Sequence, residues 1–249
     1  MKILTFVTTV LLVCLSLPTN AYSNNKGVVL VTGANRGLGL EFTKQLQETG
    51  YEVIGTARSP GKATELRATG ARVEQLDVAS PESVEALASR LKGVPIEILI
   101  NNAGMLNSTD SSLDTLNFEA MERTFQVNSL GPLRVTQALL PNLRAGGKKT
   151  IVNITSIMGS IELSTGGFYS YRTSKTALNQ INKIISAELA PQGFTSVVIH
   201  PGWVKTDMGG SAASLAIPES ISAMLEVIEG LSVESTGKFY NYDGKELPW

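Results

Sequence analysis

From residue 26 onward, short β-branched runs alternate with longer stretches of helical period, and this alternation constrains the fold more than any other feature. VVLV (28–31), YEVIGT (51–56), ARVEQLD (71–77), IEILIN (96–101), TIVNIT (150–155) and TSVVIH (195–200) read as strands, and KFYNY (238–242) as a last one. Helix candidates lie between them near 38–49, 81–91, 117–145, 168–190 and 218–231. In the last of these, Pro218 suits a first helical turn, and Ile221, Met224, Leu225 and Ile228 share one face. Strands that are apolar on both faces and separated by helices imply a doubly wound parallel sheet of about seven strands in three α/β/α layers. No internal repeat or low-complexity linker interrupts the pattern, so a single domain over 27–249 is expected.

Composition narrows the function. The net charge is −1 with no run of one sign, which argues against nucleic acid as a partner. Cys14 is the one cysteine and His200 the one histidine, so neither a disulfide framework nor a Cys- or His-based metal cluster can form. His200 ends an apolar run and reads as a structural residue at a strand end. The first residues stand apart: Lys2, the apolar run Ile3 to Leu17, Pro18 and the small residues before and at Ala21 form a signal-peptide pattern over 1–21. Export to the periplasm or the cell exterior is the expectation; an uncleaved membrane anchor and an overextended gene start are the alternatives.

TGANRGLG (32–39) follows the first strand and leads into a helix. Gly33, Gly37 and Gly39 let the backbone turn tightly and approach a ligand without Cβ clashes. The helix beginning near Leu38 directs its amides and positive dipole end at that loop, a fitting partner for a pyrophosphate. Gly33, Asn35, Arg36, Gly37, Leu38 and Gly39 are therefore candidate contacts of a dinucleotide in a Rossmann-type fold, although the spacing is G-x-x-x-G-x-G rather than G-x-G-x-x-G. Where an NAD site carries an acid at the end of the second strand, this chain has Thr56-Ala57-Arg58. Arg58, together with Arg36, can pair with a 2′-phosphate, so NADP(H) is favoured over NAD(H). Asp77 and Val78, closing the third strand, either contact the adenine or merely organise the turn before the next helix, where Ser80 is the better cap.

TGANRGLG, NNAG (101–104), Asn128 in FQVNSLGP, Ser156 in VNITSIMGS, YRTSK (171–175) and HPGWVKTDMGG (200–210) occur in the order found in a short-chain dehydrogenase/reductase. The resemblance covers the chain from about residue 27 to its end. TGANRGLGLEF, YSYRTSK, HPGWVKTDMGG and the ending YDGKELPW are similar, more narrowly, to the C-factor-like and sniffer-like carbonyl reductases. It implies an NADP-dependent enzyme that reduces an aldehyde or ketone by hydride transfer, with Tyr171 as general acid. It further implies that Lys175 holds the nicotinamide ribose, that Ser156 hydrogen-bonds the substrate oxygen, and that Asn128 fixes a water in the proton relay. Asn102, Ala103 and Gly104 are expected over the adenine ribose, with Asn101 bracing the sheet. Pro201, Gly202, Val204 and Thr206 are expected at the nicotinamide, and the small-residue stretch 209–216 as a mobile substrate lid. A homodimer or homotetramer built on helices 117–145 and 168–190 is a further expectation by analogy. A C-factor-like signalling or binding protein that retains the pocket is the alternative function.

Two tyrosines compete for the acid role. A phenol with a pKa near ~10 is a poor acid at neutral pH unless a nearby ammonium stabilises its anion. Tyr171 is four residues before Lys175 and shares its helix face. Tyr169 is six residues before it, about 600° round a helix and so on a different face. Counting thirteen residues on from Ser156, the spacing in many members of the family, lands on Tyr169; the lysine spacing selects Tyr171. Two residues inserted in a loop cost little, whereas Thr173 offers Tyr169 no ammonium, so Tyr171 is the expected acid.

Overall fold

The computed structural model describes residues 25–107, 110 and 112–249. The signal-peptide pattern over 1–21 lies outside the described residues. Seven strands form one wholly parallel sheet in the order β3-β2-β1-β4-β5-β6-β7. They are β1 (Val28–Val31), β2 (Glu52–Ala57), β3 (Arg72–Gln75), β4 (Ile98–Asn101), β5 (Thr150–Ile154), β6 (Thr195–His200) and β7 (Phe239–Asn241). Every predicted strand is present, because apolar residues on both strand faces leave a covered parallel sheet as the way to bury them.

The layers on either side form two cores. One packs α1 (Gly37–Glu48) and α8 (Ile217–Glu229) on the sheet through Phe42, Leu46, Ile221 and Met224. The other packs α3 (Pro81–Arg90) and α5 (Gly131–Ala138) through Val84, Leu87 and Val135, joined by Ile185 and Leu189 of α7 (Tyr169–Leu189). Strand order reverses between β1 and β4, and the carboxyl ends of those strands open the crevice in which such sheets bind ligands.

One helical expectation needs correction, and one short helix was not expected. The stretch 117–145 is not one helix: α4 (Phe118–Phe125) gives way to a π turn over Gln126–Leu130, followed by α5 and α6 (Leu140–Ala145). Pro132 and Pro141 lie in the first turns of α5 and α6, where a missing N–H is harmless; within a continuous helix each would remove a bond and crowd the preceding turn. The short α2 (Thr64–Ala68) carries no periodic signal, since only Leu66 is apolar and buried in it. Leu66 packs so closely over Gly55 that a Cβ there would stand 2.8 Å from its Cδ1. The C-terminal tail folds back on the edge strand: Asn241 N–H donates to Lys245 O at 2.7 Å, Leu247 N–H to Phe239 O at 2.8 Å, and Trp249 lies 5.5 Å from the Phe239 ring. This covers an edge that would otherwise offer unpaired backbone.

Candidate active site

The glycine loop sits at the mouth of the crevice. Gly33 and Gly37 take φ of 65° and 53°, in the left-handed region where a side chain is strained. Gly39 is needed for a different reason: a Cβ there would lie 2.3 Å from Gly33 O and 2.6 Å from Asn102 Nδ2. Asn102 laces the loop to β4, its Nδ2 donating to Thr32 O at 2.9 Å and Gly33 O at 3.2 Å. Thr32 returns the contact, its Oγ1 accepting from Asn102 N–H at 2.9 Å and Ala103 N–H at 3.0 Å. Asn101 braces the sheet as expected, bonding Asn153 at 2.9 Å and Thr136 at 3.2 Å.

The first turn of α1 has neither a side-chain cap nor an acidic residue, so its positive end faces the crevice uncompensated. With two left-handed glycines beside it, that end fits an anionic pyrophosphate. Arg36, preceding α1, bonds Asp207 at 2.8 Å across the crevice mouth. Asn35 and Arg58 are exposed and, among the described residues, make no side-chain hydrogen bond or ion pair. Asp77 organises the turn after β3 by accepting from Ala79 N–H at 3.0 Å, and its Oδ2 is 3.9 Å from Arg123. Ser80 is the cap of α3, accepting from Ser83 N–H at 3.1 Å. Val78 is buried against Gly131.

The catalytic candidates converge where β5, the π turn and α7 meet. Ser156 follows β5 and caps a 3₁₀ turn over Ile157–Gly159 by accepting from Met158 N–H at 3.1 Å. α7 begins at Tyr169, so Tyr171 and Lys175 stand one turn apart on its inner face, both buried; Tyr169 is half-buried and Thr173 exposed. The Tyr171 phenol is pushed above its ordinary pKa by burial, and interaction with the Ser156 hydroxyl acts the other way. Burial lowers Lys175 to about 8. Its ammonium lies 5.8 Å from the Tyr171 ring centre and donates to Ile154 O at 2.8 Å. Desolvation sets the direction at the phenol, and the expected depression by the ammonium is not seen.

Asn128 lies within the π turn, a local insertion that often marks functional helices. Both ends of its side-chain amide are engaged: Oδ1 accepts from Met105 N–H at 2.9 Å, and Nδ2 donates to Met105 O at 2.9 Å and Ser174 Oγ at 3.0 Å. Gly104 completes the contact, since a Cβ there would lie 3.4 Å from Asn128 Oδ1 and 3.7 Å from Lys175 Nζ.

The segment after β6 forms the opposite wall. Pro201 O accepts from Ser220 Oγ at 2.6 Å, and Gly202 turns with φ of 83° beneath Leu215. The stretch expected as a lid is pinned at its base, where Val204 pairs with Leu215, Lys205 N–H reaches Leu215 O at 2.9 Å and Leu215 N–H reaches Trp203 O at 3.0 Å. Thr206 accepts from Gly209 N–H at 3.1 Å, and its methyl is 3.8 Å from where a Gly37 Cβ would be. The glycine loop and this segment thus face each other. His200 ends β6 largely buried, and burial lowers it to about 4, so it is neutral in the fold. Thr32, Ser174 and Asp207 are site residues that motif reading passed over. All three stand inside quoted motifs, but what each does shows only through its distant partners, as with Asp207 and Arg36.

A doubly wound parallel sheet with a glycine loop at its switch point and a buried Ser-Tyr-Lys set beside it defines a dinucleotide-dependent oxidoreductase. The short chain dehydrogenase profile matches residues 27–215, and the chain belongs to that family. It is similar to C-signal of Myxococcus xanthus, 47% identical over 167 residues, covering 67% of this chain and 100% of that protein. A 1-hydroxy-2-glutathionyl-2-methyl-3-butene dehydrogenase of Rhodococcus sp. (strain AD45) is 35% identical, covering 89% of this chain and 99% of the relative. Among solved structures, an NADPH-bound carbonyl reductase from chicken fatty liver superposes with a TM-score of 0.84 at 35% identity, covering 90% of this chain and 100% of the other. The carbonyl reductase Sniffer of D. melanogaster gives 0.85 at 34%, again covering 90% and 100%. Within the family the chain falls in the carbonyl reductase and sniffer-like subgroup.

Proposed function

We propose that the chain is an NADPH-dependent carbonyl reductase in which Tyr171 delivers the proton. The observation that carries this reading is the buried grouping of Ser156, Tyr171 and Lys175 beside the glycine-loop crevice. When bound, the nicotinamide cofactor supplies the hydride. Ser156 donates a hydrogen bond to the substrate carbonyl oxygen and so polarises it. Tyr171 protonates that oxygen as negative charge develops on it. An alkoxide is a stronger base than a phenolate, so this transfer is downhill even from a phenol whose pKa burial has raised. Lys175, at about 8, is largely protonated at neutral pH and compensates the tyrosinate left behind. Its bond to the Ile154 carbonyl holds the ammonium deep in the crevice, where it can also meet the cofactor's ribose.

Arg36 and Arg58, with no acid at the end of β2, support NADPH over NADH. The NADPH bound by the chicken carbonyl reductase points the same way. The purified protein should oxidise NADPH in the presence of aldehydes, diketones or quinones; silence across such a panel would count against the reading. A second reading, a signalling or binding protein that keeps its pocket, is favoured by the similarity to C-signal. Tyr171→Phe separates them: it should end reduction yet keep NADPH binding, and a signalling activity would survive it only under the second reading. Export is proposed on the pattern over 1–21 alone, and sequencing the amino terminus of the mature protein tests it against an uncleaved anchor or an overextended start.

A further inference from the structure

Asp110 is wholly buried, lies between β4 and α4, and has no part in the chemistry above. Its surroundings are the first turn of α7. One carboxylate oxygen, Oδ2, accepts from Ser170 N–H at 2.5 Å and also from the Ser170 hydroxyl. Its main-chain carbonyl accepts from Tyr169 N–H at 3.2 Å. The other carboxylate oxygen is buried with no hydrogen-bond partner among the described residues.

α7 needs an anchor from outside. The residue preceding it, Phe168, is left-handed with φ of 51° and supplies no side-chain cap. The first amides of a helix have no partner within it, and leaving them unmet in a buried place is costly. Asp110 meets two of them from across the sequence, Ser170 lying 60 positions on, with its negative charge at the positive end of a 21-residue helix. The segment that carries Asp110 is fixed elsewhere too: Asn102 holds the glycine loop and Met105 holds Asn128. Asn102, Met105 and Asp110 therefore tie the cofactor loop, the π turn and the start of the helix that presents Tyr171.

We propose that Asp110 is a positioning residue that anchors the first turn of α7 and thereby sets how Tyr171 stands against Ser156. Ser170, its partner, immediately precedes Tyr171, so a shift of that turn moves the phenol directly. The inference rests on the reading of Tyr171 as proton donor, and its tests are arranged to separate the two.

The test uses the full chain with Asp110→Ala, Asp110→Asn and Ser170→Ala. Asp110→Ala should lower kcat for carbonyl reduction about ten- to a hundredfold, the order that a misplacement of up to an ångström costs, with NADPH Kd changed by less than about twofold. Asp110→Asn keeps an oxygen that can accept from Ser170 and should recover most of the rate. Ser170→Ala, which removes only the hydroxyl half of the contact, should fall between them. Leu87→Ala, in the core beneath α3, serves as a control that loses stability without losing kcat per folded molecule. Wild-type kcat in Asp110→Ala, a loss no larger than the Leu87→Ala control, or failure of Asp110→Asn to recover the rate would each overturn the proposal. A crystal structure of Asp110→Ala adds a readout independent of the chemistry. A displaced first turn of α7 supports the anchoring role even if Tyr171→Phe proves active, and an unmoved turn refutes it.

Discussion

Gly39→Ala tests whether the glycine loop, Asn102 and α1 form one tightly fitted unit. The added Cβ would stand 2.3 Å from Gly33 O, 2.6 Å from Asn102 Nδ2 and 2.9 Å from Ala34 Cα. An ordinary carbon–oxygen contact is about 3.3 Å, so the loop must move by about 1 Å. None of these atoms is the free end of a flexible side chain: two are backbone, and Asn102 Nδ2 is held by two carbonyls. Overpacking of this kind costs about 1–3 kcal/mol, and weakening the Asn102 bonds adds about 1 kcal/mol. The total of about 2–4 kcal/mol corresponds to a fall in Tm of about 5–15 °C for a chain of this size. NADPH binding should weaken about tenfold or more, because the displaced loop is the proposed pyrophosphate cradle. Gly37→Ala is the comparator. Its φ of 53° makes alanine strained by about 1–2 kcal/mol, but only the Thr206 methyl at 3.8 Å is near the new Cβ. Thermal denaturation and fluorescence titration with NADPH read both variants. If Gly39→Ala proves as stable as Gly37→Ala and binds NADPH like the wild type, the packing argument is wrong.

Lys175 makes stability rise with pH. Below about 8 it is protonated in both states and its burial destabilises the fold in full; between about 8 and 10.5 the unfolded chain keeps a proton the folded chain has lost, so stability increases. Lys175→Met should therefore be inactive yet more stable than the wild type by about 3 kcal/mol at neutral pH, with the gap closing towards pH 10.5 in denaturant titrations. His200 acts at the acid end: its pKa is about 4 in the fold against an ordinary 6.5, so only the unfolded chain protonates in that window and stability falls as pH drops through it. His200→Asn should flatten that acid limb in unfolding measured across the window. Replacing Arg36 or Arg58 by Leu should weaken NADPH binding about ten- to a hundredfold while leaving NADH little changed, as read by parallel titrations.

The strands were legible because their burial on both faces writes itself as unbroken apolar runs. The break in 117–145 was visible in principle, in Pro132 and Pro141, but strong apolar periodicity on both sides masked it. α2 carries a single buried apolar residue, too little for any period to register. At the site, residues close in sequence were readable: the lysine spacing places Tyr171 and Lys175 on one buried face, and the glycines mark the loop. Residues that act through distant partners were not. Asp110 meets Ser170 across 60 positions and Asp207 meets Arg36 across 171, and neither pairing leaves a local pattern. The pKa directions at Tyr171 and Lys175 follow from burial, which spacing does not encode.

The central claim is that Tyr171, and not its neighbour Tyr169, delivers the proton. Single-turnover oxidation of bound NADPH by a carbonyl substrate, followed by absorbance in Tyr171→Phe and Tyr169→Phe, tests it most directly. The account predicts that Tyr171→Phe loses about 10²–10⁴-fold in rate, the usual contribution of a positioned acid, with NADPH affinity retained. Tyr169→Phe should stay within a few-fold of the wild type. A wild-type rate in Tyr171→Phe, or a larger loss in Tyr169→Phe, would contradict it.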